Sequence, residues 1–259
     1  MARVLITGSS DGLGLMAAKL LVSQGHKVTL HARNTERAHD AAHALPEADG
    51  VVVGDLSSIA DTRQVAEQAN ERGRYDAVIH NAGVGFREPY RLTTEGLVHI
   101  FAINVVAPYL LTALIDRPDR LVYLSSAMHR GGEPDLFDLG WTQREWNPSQ
   151  AYSDSKLCDV ALAFAVARRW PEVLSNALTP GWVPTRMGGP GAPDDIRLAP
   201  VTQAWLAVSD DESAQVTGRY FYHQQETETH PAARSYTFQD GLLERCAQLT
   251  GARIPDERG

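Results

Sequence analysis

Tyr152 and Lys156 stand four residues apart in the stretch Tyr-Ser-Asp-Ser-Lys, a spacing that puts a phenol and an ammonium on one face of a helix. A free phenol has a pKa of about 10, too high for a ready base, and a neighbouring ammonium favours its phenolate. The pair therefore reads as a device for moving a proton to or from an oxygen. Taken alone, the same spacing also describes an ordinary pair on a helix surface. Upstream lies Ser125-Ser126, at the end of an apolar run. Alternation along a strand turns only one of these two hydroxyls toward a site.

A second stretch with chemical potential is Thr-Gly-Ser-Ser-Asp-Gly-Leu-Gly at 7–14, directly behind Val4-Leu5-Ile6. Residues 8–12 fit G-x-S-x-G, the elbow of a nucleophilic serine, but that elbow belongs after several strands, with an acid and then a histidine downstream. A phosphate loop of the Gly-Lys-Ser/Thr type is missing as well. What remains is strand, glycine turn and helix, the first unit of a dinucleotide-binding fold. Gly8 permits the tight turn, Gly12 lets the backbone approach a pyrophosphate, and Gly14 lets the helix pack closely. Ser10, Asp11 and Leu13 complete that floor beneath the positive end of the helix.

Stepping along the chain, strand-like runs occur at Arg3–Ile6, Lys27–His31, Val51–Val53, Ala77–His80, Arg120–Leu124, Leu174–Leu178 and Arg219–His223. Helical patterns alternate with them at Leu13–Gln24, Glu36–His43, Ile59–Asn70, Thr94–Ile115, Tyr152–Trp170 and Val201–Ala207. This alternation predicts an α/β protein: a doubly wound parallel sheet of about seven strands between two helical layers. Ligands then bind past the carboxyl ends of the strands. The 259 residues are expected to form one domain, 1–259, with the Pro- and Gly-rich stretch 186–200 as a mobile substrate lid.

Past the second strand the chain reads His-Ala-Arg-Asn, without the acid that holds an NAD ribose. Arg33 is placed to grip a 2′-phosphate, so NADP(H) is expected over NAD(H), although Asp11 adds a negative charge nearby. His39 and His43 mimic a zinc pair at i and i+4, but no third ligand is identifiable and a solvated helix face fits better; no metal is expected. A net charge of −8 argues against extended nucleic-acid or anionic-membrane surfaces. No signal segment, no membrane-length apolar run and no redox or metal spacing of the two cysteines is evident, so a cytoplasmic protein is expected.

The chain resembles the short-chain dehydrogenase/reductase family over nearly its full length. The resemblance rests on T-G-x3-G-x-G at 7–14, Asn81-Ala82-Gly83, Asn104, Ser126, Tyr152-x3-Lys156 and Pro180-Gly181, in family order and at family-like spacing. His80 stands where the family has an asparagine. The stretches after Ser126 and near the carboxyl terminus look most like the retinol-dehydrogenase-like branch. The resemblance implies a Rossmann-type fold and hydride transfer between nicotinamide and a carbonyl or alcohol, matched by proton transfer at Tyr152. By it, Ser126 holds the substrate oxygen, Lys156 binds the nicotinamide ribose, and Asn104 holds a relay water. Asp55 hydrogen-bonds the adenine and Leu56 beside it binds the cofactor, Asn81, Ala82 and Gly83 pass the cofactor, and Pro180, Gly181, Val183 and Thr185 hold the nicotinamide. Aromatic and methionine residues on the site loops (Phe86, Met128, Trp141, Trp146, Trp182, Met187) favour an apolar small-molecule substrate. Family members are commonly dimers or tetramers. The rival reading is a non-catalytic NADP-sensing or scaffold protein on the same fold.

Overall fold

The computed structural model describes residues 1–256. Strands β1 (Arg3–Ile6), β2 (Lys27–Ala32), β3 (Gly50–Val53), β4 (Ala77–His80), β5 (Arg120–Leu124), β6 (Leu174–Thr179), β7 (Tyr220–Tyr222) and β8 (Gln225–Glu226) form one sheet in the order β3-β2-β1-β4-β5-β6-β7-β8. Every pairing is parallel except β7 with β8. The helices are α1 (Gly12–Ser23), α2 (Thr35–Ala44), α3 (Ile59–Glu71), α4 (His99–Phe101), α5 (Ala107–Leu114), α6 (Pro148–Arg169), α7 (Val201–Val208) and α8 (Tyr236–Thr250).

Strand alternation sorts the core into two layers. Val4 and Ile6 face Ala17, Leu21 and Leu206 of α1 and α7. Leu5, Val78 and Leu121 face the other way, onto Val65, Leu110 and Leu157 of α3, α5 and α6. Parallel strands covered on both faces need the near-continuous apolar runs seen in the sequence. α6 is buried from Ala151 to Ala167 because α8 packs over its outer side. Winding reverses at β1, which pairs with β2 on one side and β4 on the other, and this opens the crevice where such sheets take ligands.

Several elements differ from the expectation. The sheet has eight strands, because His223 (φ 48°) and Gln224 (φ 61°) turn β7 back into the short β8. The pattern over Thr94–Ile115 is not one helix. Gly96 at φ 77° and a Leu92–Val98 bridge hold its first turn open, and residues 102–106 are wound as a π-helix. α6 starts before Tyr152, with Asn147 capping the Gln150 amide and Pro148 at the first position. α8 lies outside the expected helical patterns. Among the described residues no helix is long and apolar enough to cross a membrane.

Candidate active site

The glycine turn between β1 and α1 is tied down from two sides. Gly8 N–H donates to His31 Nδ1 (2.9 Å), whose Nε2 bonds the Gly54 carbonyl (3.0 Å). Burial lowers the His31 pKa to about 4, so the ring stays neutral and its free lone pair receives the turn. From β4's end, Asn81 Nδ2 donates to the Thr7 and Gly8 carbonyls (2.9 Å each), while the Asn81 and Ala82 amides donate to Thr7 Oγ1 (3.0 Å each).

The glycines divide by need. Gly8 (φ 61°) and Gly14 lie against Ala82 and Asn81 so closely that a Cβ would collide, and Gly12 (φ 56°) faces open space. Asp11 stands at the N-cap of α1 without capping it, which leaves the first-turn amides available. An open approach over Gly12 with uncapped amides behind it fits a dinucleotide pyrophosphate.

Past β2, Arg33 is exposed, and Arg37, which the sequence reading missed, is hydrogen-bonded to the turn. Arg37 donates to Asp11 Oδ2 (2.7 Å) and Ser10 Oγ (3.4 Å) from the first turn of α2, and pairs with Asp40 (3.0 Å). Its signal was positional: Asn34 caps α2 by accepting from the Arg37 amide, which sets Arg37 at a fixed register facing the turn. Asp55 accepts from the Ser57 amide (2.9 Å), and Leu56 beside it is buried.

At the other end, β5 delivers Ser125 and Ser126. Ser125 is buried and donates to the Lys156 carbonyl (2.8 Å), whereas Ser126 is half-buried and its Oγ accepts from the Met128 amide (3.2 Å). Tyr152 and Lys156 rise from α6 beside them, with the ammonium 5.8 Å from the phenol ring centre. The Tyr152 hydroxyl contacts Met187 Sδ (3.9 Å), and Phe86 meets the ring edge-on at 6.1 Å. Asn104 lies in the π-wound turn. Its Oδ1 accepts from the Val84 amide (2.9 Å), and its Nδ2 donates to the Val84 carbonyl (3.1 Å) and Ser155 Oγ (3.0 Å). That side chain pins the 81–84 loop, and Gly83 faces both Asn104 and Lys156. His80 is buried, neutral with its pKa lowered to about 3 by burial, and stacked on Tyr123 at 4.7 Å.

The segment after β6 folds back over this end. Gly181 (φ 90°) sits against Asp194, which accepts from the Trp182 amide (2.6 Å). Pro180 is half-buried and Val183 is buried, while Thr185 Oγ1 accepts from the Gly188 amide (3.1 Å). Arg186 extends toward Asp11 (4.0 Å). Of the apolar candidates, Phe86 and Met187 reach Tyr152. Trp141 is packed under Arg144 and against Trp146, and Trp182 is 57% exposed. His39 and His43 are both exposed, and no group able to hold a metal occurs among the described residues.

A short chain dehydrogenase profile matches residues 2–118. An uncharacterized oxidoreductase of Emericella nidulans is 43% identical, over 98% of this chain and 99% of its own length. Human retinol dehydrogenase 13 is 30% identical over 98% of this chain and 86% of its own. A crystal structure of an uncharacterized protein from Mycobacterium paratuberculosis superposes with a TM-score of 0.84 at 26% identity, covering 98% of this chain and 95% of that one.

Proposed function

The chain belongs to the short-chain dehydrogenase/reductase family, in its retinol-dehydrogenase-like part, as an NAD(P)-dependent oxidoreductase of CH–OH and C=O groups, and from that premise we propose that it prefers NADP(H) and acts on an apolar carbonyl or alcohol. The observation that carries the reading is the surroundings of Tyr152: Lys156 on one side, Met187 and Phe86 on the other. The rival non-catalytic scaffold finds no support in relatives named as oxidoreductases or dehydrogenases along the whole chain.

The nicotinamide, when bound, supplies or takes the hydride. The protein's share is positional and protonic. Ser126 donates to the substrate oxygen and Tyr152 gives that oxygen its proton in reduction or takes it in oxidation. Lys156 stands beside the phenol and binds the ribose. Asn104 fixes the 81–84 loop beside Lys156. Gly8, Ser10, Asp11, Gly12, Leu13 and Gly14 cradle the pyrophosphate, and Arg33 with Arg37 grips the 2′-phosphate. Asp55 and Leu56 meet the adenine, Asn81–Gly83 line the cofactor, and Pro180, Gly181, Val183 and Thr185 hold the nicotinamide. Residues 186–200 close over the substrate as the lid of one domain, 1–259, whose last three residues lie outside the described ones.

The test is NADPH oxidation against a panel of carbonyls graded in polarity, with NADH alongside. Turnover of apolar members, faster with NADPH at equal concentration, is expected. Preference for charged substrates, or for NADH, overturns the proposal.

A further inference from the structure

Lys156 has three N–H bonds, and the fold engages two of them. One goes to the Leu124 carbonyl (2.8 Å) and one to Asp159 Oδ2 (2.7 Å), one helical turn further along α6. The Asp159 side chain is only 3% exposed, and Lys156 is the one side chain that bonds it among the described residues. Burial pushes Asp159 up to about 6, and the ammonium pulls against that shift. Lys156 behaves reciprocally: burial disfavours its charge, and Asp159 with Tyr152 more than offsets this.

The Tyr152 phenol stands beside the ammonium, and the other titratable groups packed around the pair supply no further charge. Tyr123 of β5 is pushed up by burial, as is Tyr220 of β7, and His80 of β4 is neutral. Cys158 of α6 and Cys246 of α8 are raised by burial as well. Behind the Tyr152 phenol, the charge set against Lys156 by the fold itself therefore rests on Asp159. With Asp159 ionised, Lys156 belongs to a neutral pair. With Asp159 protonated, the ammonium stands uncompensated in a low-dielectric setting, where one charge has a long reach.

We infer that Asp159 is a positioning residue acting through Lys156: it fixes the direction of the ammonium and supplies the counter-charge that lets this corner accept the cationic, oxidised nicotinamide beside the neutral, reduced one. The inference rests on the proposed role of Lys156 at the nicotinamide ribose.

The test measures binding rather than turnover. NADPH is titrated by its own fluorescence, and NADP+ by competition with it, from pH 5 to pH 8. In Asp159→Asn at pH 8, the Kd ratio of NADP+ to NADPH is expected to rise about tenfold over the wild type, because one negative charge is gone while a bonding partner for Lys156 remains. In the wild type the ratio is expected to rise as pH falls through about 6, where Asp159 takes up its proton, and in the variant to stay flat. Titration of the 2′-phosphate is common to both ligands and cancels. The wild-type arm stands alone should the variant not fold. A wild-type ratio constant across this range overturns the inference and leaves the cofactor reading intact, as an ion pair of merely structural role would. A wild type that binds neither dinucleotide overturns both.

Discussion

The two ends of the cleft handle charge in opposite ways. At the chemical end, Lys156 and Asp159 are buried at 2.7 Å, with 6% and 3% of their side chains exposed. At the adenosine end, Arg37 and Asp11 meet at the same 2.7 Å, but with 28% and 56% exposed. Equal distances thus carry unequal consequences. Water and salt screen the second pair, and a surface pair contributes about 0–1 kcal/mol. The first is held in place by the fold, and breaking a buried pair from one side costs about 3–5 kcal/mol. At the chemical end the counter-charge of Lys156 is a buried residue of the fold. The Arg37–Asp11 pair is loosely held, and under the proposed function the 2′-phosphate takes the arginine from the aspartate.

Replacement of one partner at each end sharpens the contrast. Lys156→Met should lower turnover by about 10²–10⁴-fold. It should also destabilise the fold by about 3 kcal/mol at pH 8 in urea unfolding, since Asp159 loses its partner. The sign with pH follows from Asp159, raised to about 6: the folded state holds its proton more tightly than the unfolded chain. Its ionisation therefore erodes stability as pH rises from the ordinary carboxylate range through about 6, and the Lys156→Met loss should shrink at pH 5. An equal loss at both pH values breaks the picture of a charge stranded by the substitution.

Arg37→Ala, at the open end, should leave stability within about 0.5 kcal/mol and turnover at saturating NADPH unchanged. NADPH affinity should fall about tenfold while NADH affinity holds, and Arg33→Ala should act in the same direction. The NADPH effect should diminish in 0.5 M salt, whereas the Lys156→Met defect should not. An Arg37→Ala variant that loses NADH binding equally would mark a structural role for that side chain. Smallest of all, Met187→Ala should raise KM for an apolar substrate by about two- to fivefold through lost contact beside Tyr152, with kcat little altered. A fall in kcat with KM unchanged would place Met187 in the proton step instead.

The sequence displayed the parts that depend on local pattern. β1, the glycine turn and the i, i+4 pair of Tyr152 and Lys156 are written in spacing and alternation, and the structure puts them at one crevice. Arg37 and Asp159 were less visible, because their meaning lies in what they face. Asp159 follows Lys156 at i+3, a spacing open to inspection, but its burial comes from the packing of α6 between the sheet and α8. α8 itself has Phe238, Leu242, Leu243 and Cys246 on one buried side, a helical period that Gly241 and scattered charges obscure. The π-wound turn at Asn104 has no pattern of its own in the sequence; the side-chain bonds to Val84 and Ser155 that accompany it are tertiary.

The most direct trial of the whole account is Tyr152→Phe, with NADPH affinity and carbonyl reduction measured on the same preparation. The predicted result is turnover lowered by about 10²–10⁴-fold with NADPH affinity within about threefold of the wild type. Reduction at an undiminished rate with the phenol removed would contradict it.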